Sequence, residues 1–406
     1  MMTENWNTLT LAEICQNITD GKHGDCKPQS GSGFYFLSAK DIVDGKLNYN
    51  GAREIVEEDF IETHRRTKLE SGDVLITNSG TIGRMAVVRK TEKTNRTTFQ
   101  KSVAIIKPKQ DIVNPFFLYY SLLSNKKAIV NAAGGTTQQN LLLKDIRSFE
   151  ISIPPLKEQR RIAEILSALD EKIELNLQMN RTLEKIAQAT FKQWFVDFQF
   201  PGFDGELVDS LPKGWKKVRL EDLVDTISAT HKFPNDKIIF LNTSDISEGQ
   251  VLRSDYSDVK TLPGQAKKSI KKNDILYSEI RPINKRFAYV DFDADDYVVS
   301  TKLMVLRAKS FVDSIVLYYF LKSEDVIREL QMLAESRSGT FPQITFFHIK
   351  NLEMIVPDDK TLELYTSILK SNFEKINSNL RLNQTLTQIR NGLLPKLMSG
   401  KIRVAE

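Results

Sequence analysis

The sequence predicts an α+β protein: two homologous globular α/β domains joined by two long antiparallel α-helices, as a coiled coil with pseudo-two-fold symmetry. Three observations predict it. The chain repeats itself in order at a spacing of about 200 residues. Each half closes on a long stretch with 3-4 apolar spacing. At 406 residues, it is too long for one ordinary core.

The repeat comes first, because it decides the domain count. "FLSAKDIVDGKL" (36–47) matches "FLNTSDISEGQV" (240–251), and "SGDVLITNSGTIGR" (71–84) matches "KNDILYSEIRPINK" (272–285). "FLYYSLLS" (117–124) pairs with "VLYYFLKS" (316–323), "GTTQQ" (135–139) with "GTFPQ" (339–343), and "FEISIP" (149–154) with "LEMIVP" (352–357). The period is far too long for a solenoid and marks a duplicated domain. Residues 1–154 and 215–357 mix short β-like runs such as "DVLIT" and "KLMVLRA" with Gly- and Asn-rich turns. Residues 155–199 and 358–406 read as long helices, the first entered through Pro154 and Pro155 and running to about Phe198. The turn-rich stretch 200–214 is a linker.

In the first helix the spacing selects Ile162, Leu166, Leu169, Ile173, Asn176, Asn180, Leu183, Ala187 and Trp194. The second copy supplies Leu369, Ile376, Asn379, Asn383, Leu386 and Leu393. A seam of this kind packs helix on helix, and the simplest partner for each copy is the other. Asn176, Asn180, Asn379 and Asn383 occupy seam positions where an apolar residue is more stable; buried polar seam residues fix register and partner choice. The alternative is that they mark the wet end of a frayed bundle.

Composition excludes more than it identifies. Fifty-seven basic residues against 52 acidic ones give a net charge of +5, which permits a polyanionic partner without requiring one. No basic-then-apolar leader opens the chain, and its longest apolar runs fall short of a membrane span. Two cysteines, Cys15 and Cys26, suit a reducing cytoplasm.

"IPPLKEQRRIAEILSALDEKI" followed by "FKQWFVDF" resembles the central conserved region of type I restriction–modification specificity subunits, and "NGLLPKLMSGKI" resembles the end of their second conserved region. "WNTLTLAEICQNITDGKH" and "GWKKVRLEDLV" resemble the starts of that family's two target-recognition domains. The resemblance covers essentially the whole chain. Two features depart from it: "PDDKTLELY" stands where a second PPLxEQ is expected, and His231 lacks the Asp-Gly that precedes His23 by a few residues. The resemblance implies a non-catalytic, cytoplasmic prokaryotic subunit that selects a bipartite, asymmetric double-stranded DNA target. It implies two methyltransferase (M) subunits docked on the helices and restriction (R) subunits joining them, with S-adenosylmethionine, ATP and Mg2+ on those partners and no cofactor or membrane for this chain. The helix pair would set the gap between half-sites about one DNA turn apart, roughly 34 Å.

Two alternatives are a DNA adenine methyltransferase in its own right and a coiled-coil scaffold that binds no DNA. "NPFF" (114–117) is close to the Asn-Pro-Pro-Phe/Tyr motif of adenine methyltransferases but lacks its second proline; Asn as N-cap with Pro at the first helical position explains it. There is no G-x-x-x-x-G-K-[ST] loop and no glycine-rich strand-to-helix turn. "DFDADD" (291–296) reads as a solvated turn, His23 and Cys26 lack a second ligand pair for zinc, and His64, His231 and His348 are scattered.

For DNA contact, the turn after each "D-[VI]-L" strand is the first choice: Asn78, Ser79, Thr81 and Arg84 in one domain, Glu279, Arg281, Asn284, Lys285 and Arg286 in the other. Arg281 suits guanine and Asn78 or Asn284 suits adenine; an ordinary polar hairpin is the alternative. Lys22 and His23 of "DGKHGDCK" are the second choice. "KKSIKK" (267–272) and "THRR" (63–66) suit phosphates or solvated faces, and "GTTQQN" (135–140) suits DNA or a shared structural turn.

Overall fold

The computed structural model describes residues 6–134, 139–337 and 339–404. The chain forms two compact units, Met1–Leu177 with Leu380–Glu406, and Gln178–Asn379. The division falls inside both long helices, so each unit holds one α/β domain and a segment of each helix.

In the first unit a four-stranded antiparallel sheet runs in the order Cys15–Asp20, Val103–Pro108, Val74–Thr77, Met85–Val87. Its strands read as continuous apolar runs because both faces are covered. Val74, Ile76, Ala104 and Ile106 face a core that includes Phe117, Leu118 and Leu122 of the helix Pro115–Ser124. Leu75, Val103 and Ile105 face a second core with Leu37 and Phe99. There the strands Tyr35–Leu37 and Thr97–Phe99 pair in parallel.

The second unit repeats the plan. Its antiparallel sheet runs Val224–Thr226, Leu303–Ala308, Ile275–Ser278, Phe287–Tyr289. Lys237–Leu241 pairs in parallel with Tyr297–Ser300. Alternate residues again split between two cores: Ile275 and Met304 on one side, Leu276 and Val305 on the other.

The long helices span Leu156–Phe191 and Asp359–Met398, the second about 60 Å long at the α-helical rise. The first begins inside PPLKEQ, directly after the two prolines. Gln159 explains part of that motif. It is buried; its Oε1 accepts from Asn114 N (2.8 Å), and its Nε2 donates to Ile112 O (3.0 Å) and Pro154 O (2.8 Å). It therefore ties the helix start to the loop before Pro115–Ser124. In the second unit the departing "PDDKT" starts its helix by another route. Asp358 accepts from the amide and hydroxyl of Thr361 (3.1 and 2.7 Å) and from Trp215 Nε1 (3.2 Å). The first helix was expected to run to Phe198; it ends at Phe191 and passes into a π-turn, Lys192–Val196. That turn buries Trp194 and Phe195 against Tyr365 and Trp215, with ring centroids 4.8–5.9 Å apart. The "WFVDF" signature is thus an aromatic anchor.

Within each unit the helix segments run antiparallel. In the first, Glu158 pairs with Arg403, Asp170 with Arg390 and Asn176 with Asn383. In the second, Asn180 meets Asn379 and Trp194 meets Tyr365. The domain is tied to its helices by charge in both units. Tyr120 and Arg390 both donate to Asp170 (2.6 Å each) in the first, and Lys322 donates to both oxygens of Glu184 (2.8 and 2.7 Å) in the second.

The four asparagines do not lie at a wet end. Asn176 donates to Asn383 Oδ1 (2.7 Å), and Asn383 donates to Ile173 O (3.2 Å). Asn379 donates to Asn180 Oδ1 (2.8 Å), and Asn180 donates to Ile376 O (3.3 Å). All four are buried, whereas the seam residues Leu169, Ile173 and Leu183 are only half-buried. A buried amide requires a partner, and the repeated amide supplies one to each asparagine, although Asn176 Oδ1 itself has none among the described residues.

Gln159→Leu, which places the second unit's residue in the first, is expected to lower stability by about 1–3 kcal/mol, because it orphans three backbone groups. Urea unfolding followed by circular dichroism measures it.

Candidate nucleic-acid interface

Two structurally equivalent turns join neighbouring strands at one end of each antiparallel sheet, Asn78–Arg84 in the first unit and Glu279–Arg286 in the second. The second is one residue longer. The ungapped sequence match therefore slips at its end: Arg84 corresponds to Arg286, not to Lys285. Arg84 Nη1 donates to Ala39 O (3.4 Å), and Arg286 Nη1 donates to Thr243 O (2.8 Å). Those carbonyls belong to equivalent 3-10 turns, Ala39–Asp41 and Thr243–Asp245, each braced by an aspartate accepting from the residue that precedes the turn. Both arginines, expected to contact DNA, are bonded to the protein's own backbone.

A strap crosses each turn. Leu141 N donates to Asn78 O (2.9 Å), and Ser79 bridges Asn140. Ile344 N donates to Glu279 O (2.8 Å), Arg281 N donates to Pro342 O (3.1 Å), and Ile280 bridges Gln343. Asn140, not Gln139, is thus the counterpart of Gln343. The strap comes from the "GTTQQN" and "GTFPQ" segments; Gly135–Gln138 of the first lie outside the described residues.

The remaining expected residues separate by availability. Asn78 is buried, and its Oδ1 has no partner among the described residues, so it does not present an amide to a groove. Ser79 is half-buried beside the exposed Thr81 at the tip. Glu279 accepts from Gln343 Nε2 (3.0 Å). Lys285, in left-handed backbone where the first turn has Gly83, is ion-paired with Glu324. Arg281 and Asn284 are exposed. Arg281 also sits in left-handed backbone (φ 44°), a conformation that costs a non-glycine residue roughly 1–2 kcal/mol. Its amide bond to Pro342 O helps hold it there, and among the described residues its guanidinium makes one long contact, to Thr340 O (3.4 Å).

In the early loop, Lys22 Nζ is clamped between Asp59 (3.3 Å) and Glu62 (2.8 Å). The bond to Glu62 pushes its pKa up, with Asp59 adding to it. The Asp59 carboxyl is itself held below its ordinary range, first by the Lys27 amide and then by Lys22. Two carboxylates thus already oppose Lys22, which was expected at DNA. His23 is exposed, with Nε2 2.9 Å from Asp20 Oδ2. Of "THRR", Arg66 is drawn to Asp20 (3.2 Å); of "KKSIKK", Lys268 donates to Leu303 O (2.7 Å) and burial pushes its pKa down.

Elsewhere Asn114 Oδ1 accepts from Phe116 N (3.0 Å) and Phe117 N (3.1 Å), and its counterpart Asp313 accepts from Ile315 N (3.0 Å). "NPFF" is therefore a helix cap with its amide oxygen occupied. His231 accepts a backbone N–H within its own loop, His348 accepts the amide of Thr345, the N-cap of its own short helix Phe346–Ile349, and His64 stacks on Phe60. Cys26 is buried while His23 faces solvent, and among the described residues no three His, Cys, Asp or Glu side chains are grouped to hold a metal ion.

Sequence reasoning passed over Ile283 and Phe341, both about half exposed beside Arg281. Isolated apolar residues in a turn read as core until the strap shows that the core is elsewhere. Phe and aliphatic side chains on such a surface suit contact with thymine methyl groups.

A model of the type I restriction modification DNA specificity domain matches residues 3–185 and again 212–388. The chain is 45% identical over 183 residues to the HindI type I restriction enzyme specificity subunit of Haemophilus influenzae, an alignment covering 44% of this chain and 39% of that one. It is 27% identical to the MjaIX specificity subunit of Methanocaldococcus jannaschii over 99% of this chain and 95% of the relative. The fold matches that of a type I restriction–modification S subunit from M. genitalium, with TM-score 0.64 and 15% identity over 97% of this chain and 96% of that one.

Arg286→Ala is expected to cost about 1.5–3 kcal/mol, a charged hydrogen bond lost from a carbonyl, while the exposed Arg281→Ala stays within about 0.5 kcal/mol. Urea unfolding midpoints compare the two.

Proposed function

The chain belongs to the type I restriction–modification DNA specificity family, and we propose that it reads the two unlike halves of a bipartite, asymmetric DNA target, one with each α/β unit. One observation carries this reading: the same strapped turn recurs on the same scaffold in both units, with different exposed side chains at its tip. Thr81 stands out in one, and Arg281, Ile283 and Asn284 in the other. Identical frames with unlike tips suit two short half-sites of unlike sequence. Arg281 is the residue with the donor geometry for guanine and Asn284 the one for adenine. Lysines and arginines elsewhere on the surface supply the salt-dependent phosphate contacts.

The subunit itself performs no bond chemistry in this reading. Methyl transfer belongs to two docked methyltransferase (M) subunits with S-adenosylmethionine, and ATP- and Mg2+-dependent cleavage to restriction (R) subunits. The long helices are the docking surface for M. Leu175, Leu382 and Ile389 in the first unit, and Ile186 and Leu364 in the second, are exposed apolar residues on those helices. The same helices set the spacer between half-sites, because the asparagine pairs admit one register. A slip of one heptad would displace an attached domain by roughly 10 Å and leave the amides unpaired.

Electrophoretic mobility shift with and without M subunits tests the reading. Sequence-selective retardation, with M or without it, supports it; methyl transfer by the isolated chain rejects it. Arg281→Ala in the assembled methyltransferase is expected to relax specificity at one half-site by about 1–3 kcal/mol, and methylation of a randomised target library reads the change. Equal loss over all sequences would reduce Arg281 to a phosphate contact. Deleting whole turns from the first long helix, with matched turns from the second, is expected to change the tolerated spacer. An unchanged spacer would reject the ruler.

A further inference from the structure

A cleft of about 910 Å³ opens in the second unit beside the first turns of the long helix Asp359–Met398. Five cationic side chains line it, Lys271, Lys272, Arg307, Lys309 and Lys370, against two carboxylates, Asp313 and Glu363. Three of the cations are engaged. Arg307 makes two bonds to the buried Asp274 (2.7 and 2.8 Å), Lys309 donates to Glu221 O (2.8 Å), and Lys370 pairs with Asp313 (2.5 Å). Lys271 and Lys272 are exposed, and their ammonium groups have no partner among the described residues. Phe311, about half exposed, stands among them.

The first unit shows that the fold does not require this cleft. Glu70 takes the place of Lys271: each donates its amide to the aspartate three residues on, at 2.8 Å. Ser71 takes the place of Lys272. Gln110 and Pro115 close over Gly72, leaving little more than van der Waals room above it. In the second unit the loop from Lys309 to Asp313 is one residue shorter than Lys109 to Asn114, and the smaller Ser310 and Ser314 follow Lys309 and Asp313. The same place is crowded and carries a carboxylate in one unit, and is open and cationic in the other.

We propose that this cleft is a docking site for an acidic peptide segment of a partner protein, with Lys271 and Lys272 pairing its carboxylates and Phe311 covering an apolar residue between them. Position separates it from the DNA-reading turn. Lys271–Asn273 lead into the strand Ile275–Ser278 at one end, and Glu279–Arg286 leave it at the other. Symmetry separates it from backbone phosphate, which both half-sites present alike and which both units would contact by like means. The inference rests on the specificity-subunit reading only for the existence of partner proteins.

The test uses the full chain and a fluorescein-labelled hexaglutamate peptide at low salt, read by fluorescence anisotropy. Joint Lys271→Glu and Lys272→Glu substitution is expected to weaken binding by roughly tenfold or more, since two pairings become repulsions. Ser310→Gln, which fills the cleft and leaves both lysines in place, is expected to weaken it as well; Arg281→Ala leaves it unchanged. A thermal melt establishes that each variant is folded. Equal peptide binding by the lysine variant overturns the proposal. So does competition by inorganic tripolyphosphate as effective as that of unlabelled peptide, which marks a general anion site. Loss of duplex binding by the lysine variant, with peptide binding intact, reassigns the cleft to DNA. Sequence-selective DNA binding is measured separately, so its failure leaves the peptide result standing.

Discussion

The constraint on which the helix framework depends is that a buried amide must find a partner. Asn176 with Asn383, and Asn180 with Asn379, pair within their own units, and in each case one asparagine also reaches the carbonyl of the isoleucine three residues before its partner; of these amides Asn176 Oδ1 is buried without a partner among the described residues. Leucine at these positions would bury more apolar surface, yet would tolerate several registers, because dispersion contacts are not directional. The amide pairs are made in the register seen here. Each unit's α/β domain then inherits that register, through Asp170 held by Tyr120 and Arg390 in the first and through Glu184 held by Lys322 in the second.

On that frame the two domains spend the same structural devices and differ where those devices end. Arg84 and Arg286 do the same task, as do the straps through Leu141 and Ile344 and the 3-10 turns beneath them. The side chains left over at the tips are Thr81 on one side, and Arg281, Ile283 and Asn284 on the other. The tips can differ without disturbing the fold, since a tip residue has few packing partners to satisfy. The left-handed backbone at Arg281 fits this division: a strained conformation survives where its surroundings over-determine it.

Much of this was legible in the chain. Matched runs 200 residues apart disclosed the duplication, and heptad spacing disclosed the helices and their asparagines. The Asn-Pro pair at 114–115 disclosed a cap. These signals are local or periodic, and each maps residue type to conformation through sterics or hydrogen-bond inventory. The candidate interface was legible only as a region. Lys22, Asn78, Arg84, Lys285 and Arg286 are the polar and basic residues a DNA-binding turn would show, yet three-dimensional neighbours claim them: Asp59 and Glu62, the protein interior, Ala39 O, Glu324 and Thr243 O.

The sequence by itself determined that the chain is a duplicated α/β domain on paired heptad helices, of a family named by PPLKEQ, WFVDF and LLPKLMSG. Periodicity and repetition survive without knowledge of what lies across the fold. The tertiary structure alone decided which side chains remain free to meet a ligand. Freedom belongs to no residue type; it is what remains after neighbours 37 to 45 positions away, such as Glu62 for Lys22 or Thr243 for Arg286, have taken their hydrogen bonds. It likewise decided that one unit carries an open basic cleft where the other is closed, because a single loop deletion and two small side chains matter only once the helix beside them is in place.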